Sequence, residues 1–410
     1  MTTKPSDKSS EPNPQQPPLV TKSPRSSRDW LHLFLKTGGA IGLGLCLLGI
    51  IGVGIGQWWA KNNLAPIVAQ ELTKTLKRPI SLGEIENIWF DEVHLTNASI
   101  PANGKDLNRL AVRDIIIKFD PIKLAFDRTL KLDIRLVAPS IYLAQNIKGN
   151  WVDLPAQEKT PPSPIKVEVG TINIENAQVV VVPFSKNPQP VTISKINLQA
   201  EVDESQQRAT FNSGAQFEQQ GKVQIQGNTL IANGKTELVV KGQKLDAAAA
   251  TRVVKIPEVT IVRGTVDGDL SLAIEPQKSL KISSKLLVHD GKLAINYVPR
   301  NLDQINGWIE VSERAVKFND VTTKYDRVAG VVSGDLNYYT GYHLKAKLAP
   351  ITLPDIIKSI DVKSPFPLAG TAIGTLRLDG KLDRPILTGK FNNNQINRVD
   401  LVDLDRVGYY

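Results

Sequence analysis

Few residues in this chain are equipped for chemistry. The four histidines stand at 32, 94, 289 and 343, and no two share the HxxxH spacing of a helical metal pair. A single cysteine, Cys46, excludes both a disulfide framework and a cysteine-based zinc site. There is no G-x-S-x-G, no Walker loop and no G-x-G-x-x-G. Asp267-Gly268-Asp269 opens like a calcium loop but lacks the remaining ligand ladder, so a turn is expected there. Asp400, Asp403 and Asp405 could pair as acid and base, as in a β-helical polysaccharide enzyme. Solvated carboxylates are the simpler reading of the three. Trp89, Trp151 and Trp308 could stack on sugars, but isolated aromatics more often anchor a core or an edge. The sequence is therefore read as non-enzymatic, with no cofactor and no metal.

The elements that position these residues start with charge. The net charge is +9, of which the first 36 residues carry +3. The remainder is spread thinly and forms no basic block, so nucleic acid is not expected as a partner. Residues 1–29 are rich in Pro, Ser, Gln and Lys and are too poor in apolar side chains to offset ordering entropy, which predicts a disordered tail.

Residues 30–60 predict a transmembrane anchor. No charge occurs across the 24 residues from Thr37 to Ala60. As a helix this stretch measures ~36 Å, enough for a ~30 Å hydrocarbon core. Trp58 and Trp59 suit the far headgroup belt. A cleaved signal peptide is the alternative, since Gly54-Ile55-Gly56 offers a small-x-small site. The length of the apolar run favours an uncleaved anchor. Positive charge precedes it, which predicts a single pass of the inner membrane with a cytoplasmic N-terminus and a periplasmic body.

Residues 61–79 read as a periplasmic helix: Leu64, Ile67, Val68, Leu72 and Leu76 recur at helical spacing and Pro79 stops them. The period then becomes two. Leu130, Leu132, Ile134 and Leu136 alternate with charged residues, and so do Leu280, Ile282, Leu286 and Val288 with polar ones, which predicts strands apolar on one face. The phase shift from Val169 to Ile172 across Gly170 predicts a bulge or turn. A first β module over 80–154, a Pro-rich linker over 155–164 and repeated β modules over 165–410 follow from these patterns.

The repetition is visible in Gly264-Thr-Val-Asp-Gly268, Gly330-Val-Val-Ser-Gly334 and Gly370-Thr-Ala-Ile-Gly374. Short helices are expected at Leu245–Val254 and Leu353–Ile360, starting 108 residues apart, beside Gly motifs 106 apart. A supersecondary unit is being reused, and its glycines mark strand bends or close backbone approach.

Four stretches carry a family resemblance. They are Lys77-Arg78-Pro79-Ile80-Ser81-Leu82-Gly83, then Phe119-Asp120-Pro121, then Val137 to Trp151, and last Gly370 to Gly389. In this order they resemble the N-terminal part of TamB-type translocation and assembly module proteins of the AsmA-like superfamily. The branch they look like is the cyanobacterial and chloroplast-envelope one. The resemblance implies an elongated, curved β-groove, mainly β with a few short helices, anchored in the inner membrane. It implies an outer-membrane insertase of the BamA/TamA class and phospholipid acyl chains as partners, and a role in outer-membrane protein assembly, protein secretion or phospholipid transfer. A pure assembly scaffold is the alternative within the family, and an exported polysaccharide enzyme the alternative outside it. The family's C-terminal domain is not found. About 20 strands at ~4.8 Å reach only ~95 Å, so the chain is expected to be incomplete at its C-terminus.

Leu130, Leu132, Ile134, Leu136, Leu280, Ile282, Leu286 and Val288 are the candidate lipid-groove residues, and Trp58 and Trp59 the membrane-interface ones. Curling of the sheet until these side chains bury one another is the competing outcome. The topology is open to reporter fusions at Pro24 and after Pro155: a periplasm-only reporter should be silent at the first and active at the second.

Overall fold

The computed structural model describes residues 79–102, 104, 106–147, 166–253, 259–275, 281–295, 299–360, 370–393, 397–399, 402–404 and 408–409. The tail, the anchor with Trp58 and Trp59, the 61–78 part of the first helix and the Pro-rich linker lie outside these residues. The chain is mainly β. The first strands are β1 (Glu84–Ile88), β2 (Glu92–Ile100), β3 (Arg109–Phe119), β4 (Thr129–Val137), β5 (Ser140–Ala144), β6 (Lys166–Val182) and β7 (Val191–Val202). Next come β8 (Arg208–Phe217), β9 (Gly221–Leu230), β10 (Lys235–Asp246), β11 (Val259–Ile274), β12 (Lys281–Ile295), β13 (Leu302–Ser312), β14 (Ala315–Tyr325), β15 (Val328–Asn337) and β16 (Gly341–Leu348). Last are β17 (Ile351–Thr352), β18 (Thr371–Gly380), β19 (Ile386–Asn393), β20 (Asn397–Val399), β21 (Val402–Leu404) and β22 (Gly408–Tyr409). Twenty of them form one mixed sheet; β20 and β21 pair separately.

Nearly every strand pairs antiparallel with the next in sequence, so the sheet is a meander. One joint differs. β4 and β5 are a single line broken at Ala138-Pro139, and both pair parallel with β6. A parallel step needs a crossover, and 21 residues of sequence separate Ala144 from Lys166.

Three short helices sit at the ends of strands: α1 (Pro121–Asp127), α2 (Ala247–Val253) and α3 (Leu353–Ile360). α3 coincides with the expected helix, because Asp355 N–H and carboxylate both engage Thr352 Oγ1, at 3.3 and 2.6 Å. α2 starts two residues later than expected. Asp246 is the reason: its Oδ1 accepts from Ala249 N at 2.9 Å, so the residues before it remain in β10. α1 was not expected at all. Asp120 Oδ1 accepts from Ile122 N and Lys123 N, at 2.9 and 3.1 Å, and Pro121 supplies a preset φ at the first helical position.

The bulge expected at Gly170 is present: Leu132 faces Val169, but Ile134 faces Ile172. Asp133 Oδ1 accepts from both Thr171 N and Thr171 Oγ1 at 2.8 Å, closing the two-against-one step. Six of the further register shifts, nearer the strand ends where α2 and α3 lie, share a feature. Each holds a left-handed residue: Asn176, Lys195, Lys244, Asp290, Gln304 or Asp320. At three of them the displaced N–H finds a side chain of the next strand: Asn176 to Asn197 Oδ1, Lys244 to Asp267 Oδ1 and Asp290 to Asn306 Oδ1, at 3.0, 2.6 and 2.9 Å.

The core is densest in the first module. Leu95, Leu130 and Leu132 are fully buried, joined by Ile134, Leu136, Ile115 and Ile117 from the neighbouring strands and by Leu124 of α1. The apolar face is therefore covered here, by these side chains and by α1. This corrects the open-groove expectation for Leu130, Leu132, Ile134 and Leu136: they form a closed core. Two smaller clusters surround Val179 and Val181, and Val191 with Phe217 and Ala249 of α2. In this closed core Leu132→Ala should cost about 2–5 kcal/mol. Ile134→Asp, an unpaired buried carboxylate, should unfold the protein or expose it to degradation. Denaturant melts and steady-state protein levels check both; full tolerance of Ile134→Asp would contradict the packing.

Candidate functional site: the apolar face of the meander

Past the closed module, in-register pairing turns the alternation along each strand into rows across the sheet. One row crosses eleven strands without a polar side chain. It runs Ala215, Val223, Gly242, Gly268, Leu286, Ile309, Phe318, Gly334, Leu344, Leu378, Leu387, from β8 to β19. On the same face Val266, Val288 and Gly307 form the adjacent row segment on one side, and Leu238, Leu272 and Ile282 form a segment two rows away on the other, past Val240, Leu270 and Ser284. Among the groove candidates, Ile282, Leu286 and Val288 thus share one face and are half-buried, and Leu280 lies outside the described residues.

The three helices of the described residues meet this sheet near its strand ends. α1 touches β4; α2 touches β7, β10 and β11; α3 touches β15 and β17. In the central strands Ile282, Leu286, Ile309 and Phe318 stay half-buried, and no cluster of fully buried residues forms there among the described residues.

The repeated glycines explain themselves in this row. Gly268 and Gly334 have φ of 152° and 120°, and a Cβ at either would run into a carbonyl of the facing strand, that of Lys285 or of His343. The expected close backbone approach is therefore present. The same positions remove a side chain from the apolar row, beside Leu286 at the first and between Phe318 and Leu344 at the second.

The residue after each of these two glycines points to the opposite face and is acidic. There the next row alternates basic and acidic side chains: Lys241, Asp269, Lys285, Glu310, Lys317, Asp335, His343, Asp379. The Asp335–His343 pair closes to 3.5 Å, and Lys285 Nζ stands 4.9 Å from the ring centroid of Trp308. Cross-strand opposite charges favour this register, and a slip would separate the partners.

This placement corrects the reading of Asp267-Gly268-Asp269 as a turn: the three lie mid-strand in β11. Asp267 accepts from Lys244 N and sits 2.8 Å from His289 Nε2. Lys244 N–H, aided by His289, holds its carboxyl below the usual aspartate range against the opposing effect of burial. Asp303 is likewise lowered, first by Lys292, then by Gln304 N–H, with Arg263 Nη2 at 2.7 Å. His94 lies between Glu86 and Asp114, at 3.0 and 3.6 Å. No cluster able to hold a metal occurs among the described residues. Asp403 is in β21, while Asp400, Asp405 and Trp151 lie outside the described residues.

Sequence reasoning found the faces of single strands but missed the rows and the charge ladder. The signal was present: the residue after Gly268 and Gly334 is Asp in both copies.

Comparison with known proteins gives one partial likeness. Over 127 residues, 31% of the chain, the sequence is 24% identical to protein TIC236, chloroplastic, of Arabidopsis thaliana. The match spans 6% of that protein's length. It supports an AsmA/TamB-like likeness and no finer branch. No family model matches, and no solved structure matches.

The ladder makes a sharp expectation. Lys317→Glu places Glu310, residue 317 and Asp335 in one acidic run and should lower stability by about 0.5–1 kcal/mol, more at low salt. Adding Asp335→Lys should recover part of the loss. Denaturant melts of the two single variants and the double variant, at two salt concentrations, measure that coupling; strictly additive effects would mean the ladder charges do not interact.

Proposed function

We propose that this chain is an envelope β-groove protein of the AsmA/TamB-like kind. It is anchored in the inner membrane by Thr37–Ala60, and its body stands in the periplasm. Its sheet presents an apolar face to acyl chains or to nascent outer-membrane protein on their way to an insertase of the BamA/TamA class. Nothing in this role calls for catalysis. One observation carries the reading: an apolar row runs unbroken across eleven strands whose central side chains stay only half-buried. Exposed apolar area costs ~25 cal/mol per Å², so such a face favours an apolar occupant. The likeness to a chloroplast protein fits an envelope setting.

A scaffold reading has support of its own. β19 pairs with β18 along its length but with β22 only at Phe391 and Asn392. Among the described residues no strand lies along the outer side of its Ile386–Gly389 stretch, an edge to which a visiting strand could add.

Photo-crosslinkers at Ile282, Leu286 and Val288 in the full chain separate the cargo classes. Lipid adducts identified by mass spectrometry at these positions, and not at Asp269 or Lys317 on the opposite face, are the expected result. Polypeptide adducts alone would favour the scaffold. Folded protein that captures neither would refute the groove.

A further inference from the structure

One end of the first module carries large apolar side chains that the core does not use. Trp89 and Phe90 occupy the β1–β2 turn and are 65% and 79% exposed; Ile122 and Phe126 on α1 are 66% and 83% exposed. Two separate connections bring them together. The turn is closed by Trp89 N donating to Glu92 O at 2.8 Å, and Phe119 N, just before α1, donates to Asp91 O in the same turn at 2.9 Å. α1 is pinned by Leu124, which is buried in the core, so Ile122 and Phe126, one helical turn apart, share an outward face.

We infer that this aromatic end is a second, interfacial contact with the same bilayer that Thr37–Ala60 would cross. Three observations point to a bilayer rather than another protein. The residue types are those of a headgroup boundary, two aromatics on a turn and an apolar face on a short helix. Only 23 residues separate Ala60 from Glu84, so even fully extended they hold the module within about 80 Å of the membrane. The surrounding charges are mixed, Asp91, Asp120 and Asp127 against Lys123 and Arg128, so the patch asks for apolar depth and not for anionic lipid. The contact would set the entrance of the sheet against the leaflet. It rests on the anchor reading given above.

The test uses the full chain carrying Cys46→Ser, so that a single introduced cysteine can be labelled. An environment-sensitive fluorophore at Phe90→Cys or Phe126→Cys, in phosphatidylcholine vesicles, should shift to the blue. Spin-labelled lipid should quench it at least two-fold, equally at low and high salt. The same label at Tyr339→Cys, in an exposed turn far along the sheet, should not be quenched. Adding Trp89→Ser should cut the quenching at Phe126→Cys. A blue shift without lipid quenching would mean that protein covers the patch, either residues 63–77 or a second copy, and would overturn the inference. No shift and no quenching in chain that resists carbonate extraction would also overturn it while leaving the anchor standing. Release of the chain by carbonate would overturn both.

Discussion

A backbone N–H pushed out of a β-ladder must find another acceptor, and the central sheet depends on how that is arranged. Six of its bulges turn a residue into the left-handed region and break the ladder there. At Asn176, Lys244 and Asp290 a side chain from the next strand receives the displaced N–H. These three bulges are thus completed by the following strand, which ties their bends to its sequence. Bulges confined to one side of the strands raise twist on that side. They leave the other side regular, where the apolar and charged rows keep their register.

The two halves of the chain solve the same problem differently. In the first module the apolar face is buried in a core that α1 joins through Leu124, and Leu130, Leu132 and Ile134 are as buried as in any globular core. Further along, the described helices lie at the strand ends, and glycine occupies several places in the central row where a large side chain would otherwise stand. A row that is apolar but cut with glycine cannot interdigitate densely with itself. The first half is built as a foundation and the second as a surface.

Much of this was legible in the sequence. Period-two alternation located β4 and β12, a phase slip located the Gly170 bulge, and two of the three helices stood out by their spacing. What could not be read was anything that depends on pairing. Leu132 and Leu286 have the same local pattern, yet one is sealed and the other half-open, because their fates rest on which strands curl and what packs over them. α1 escaped because its seven residues are too few for a hydrophobic period; only the Asp120-Pro121 start announces it. Asp267 was taken for a turn because Asp-Gly-Asp is turn-like in composition, whereas in β11 its carboxylate serves the bulge next door.

The meander also has a consequence for how the molecule comes into being. Since nearly every strand bonds to its immediate successor, most closing loops are only a few residues long, and ordering can proceed one strand at a time from the first end made. Newly added strands need no partner still to be synthesised. The exception is the parallel joint, where β6 must return past the segment from Gln145 to Ile165 to lie against β4 and β5. That return is the single long loop closure among the early strands, and it makes the joint the natural pacing step of assembly.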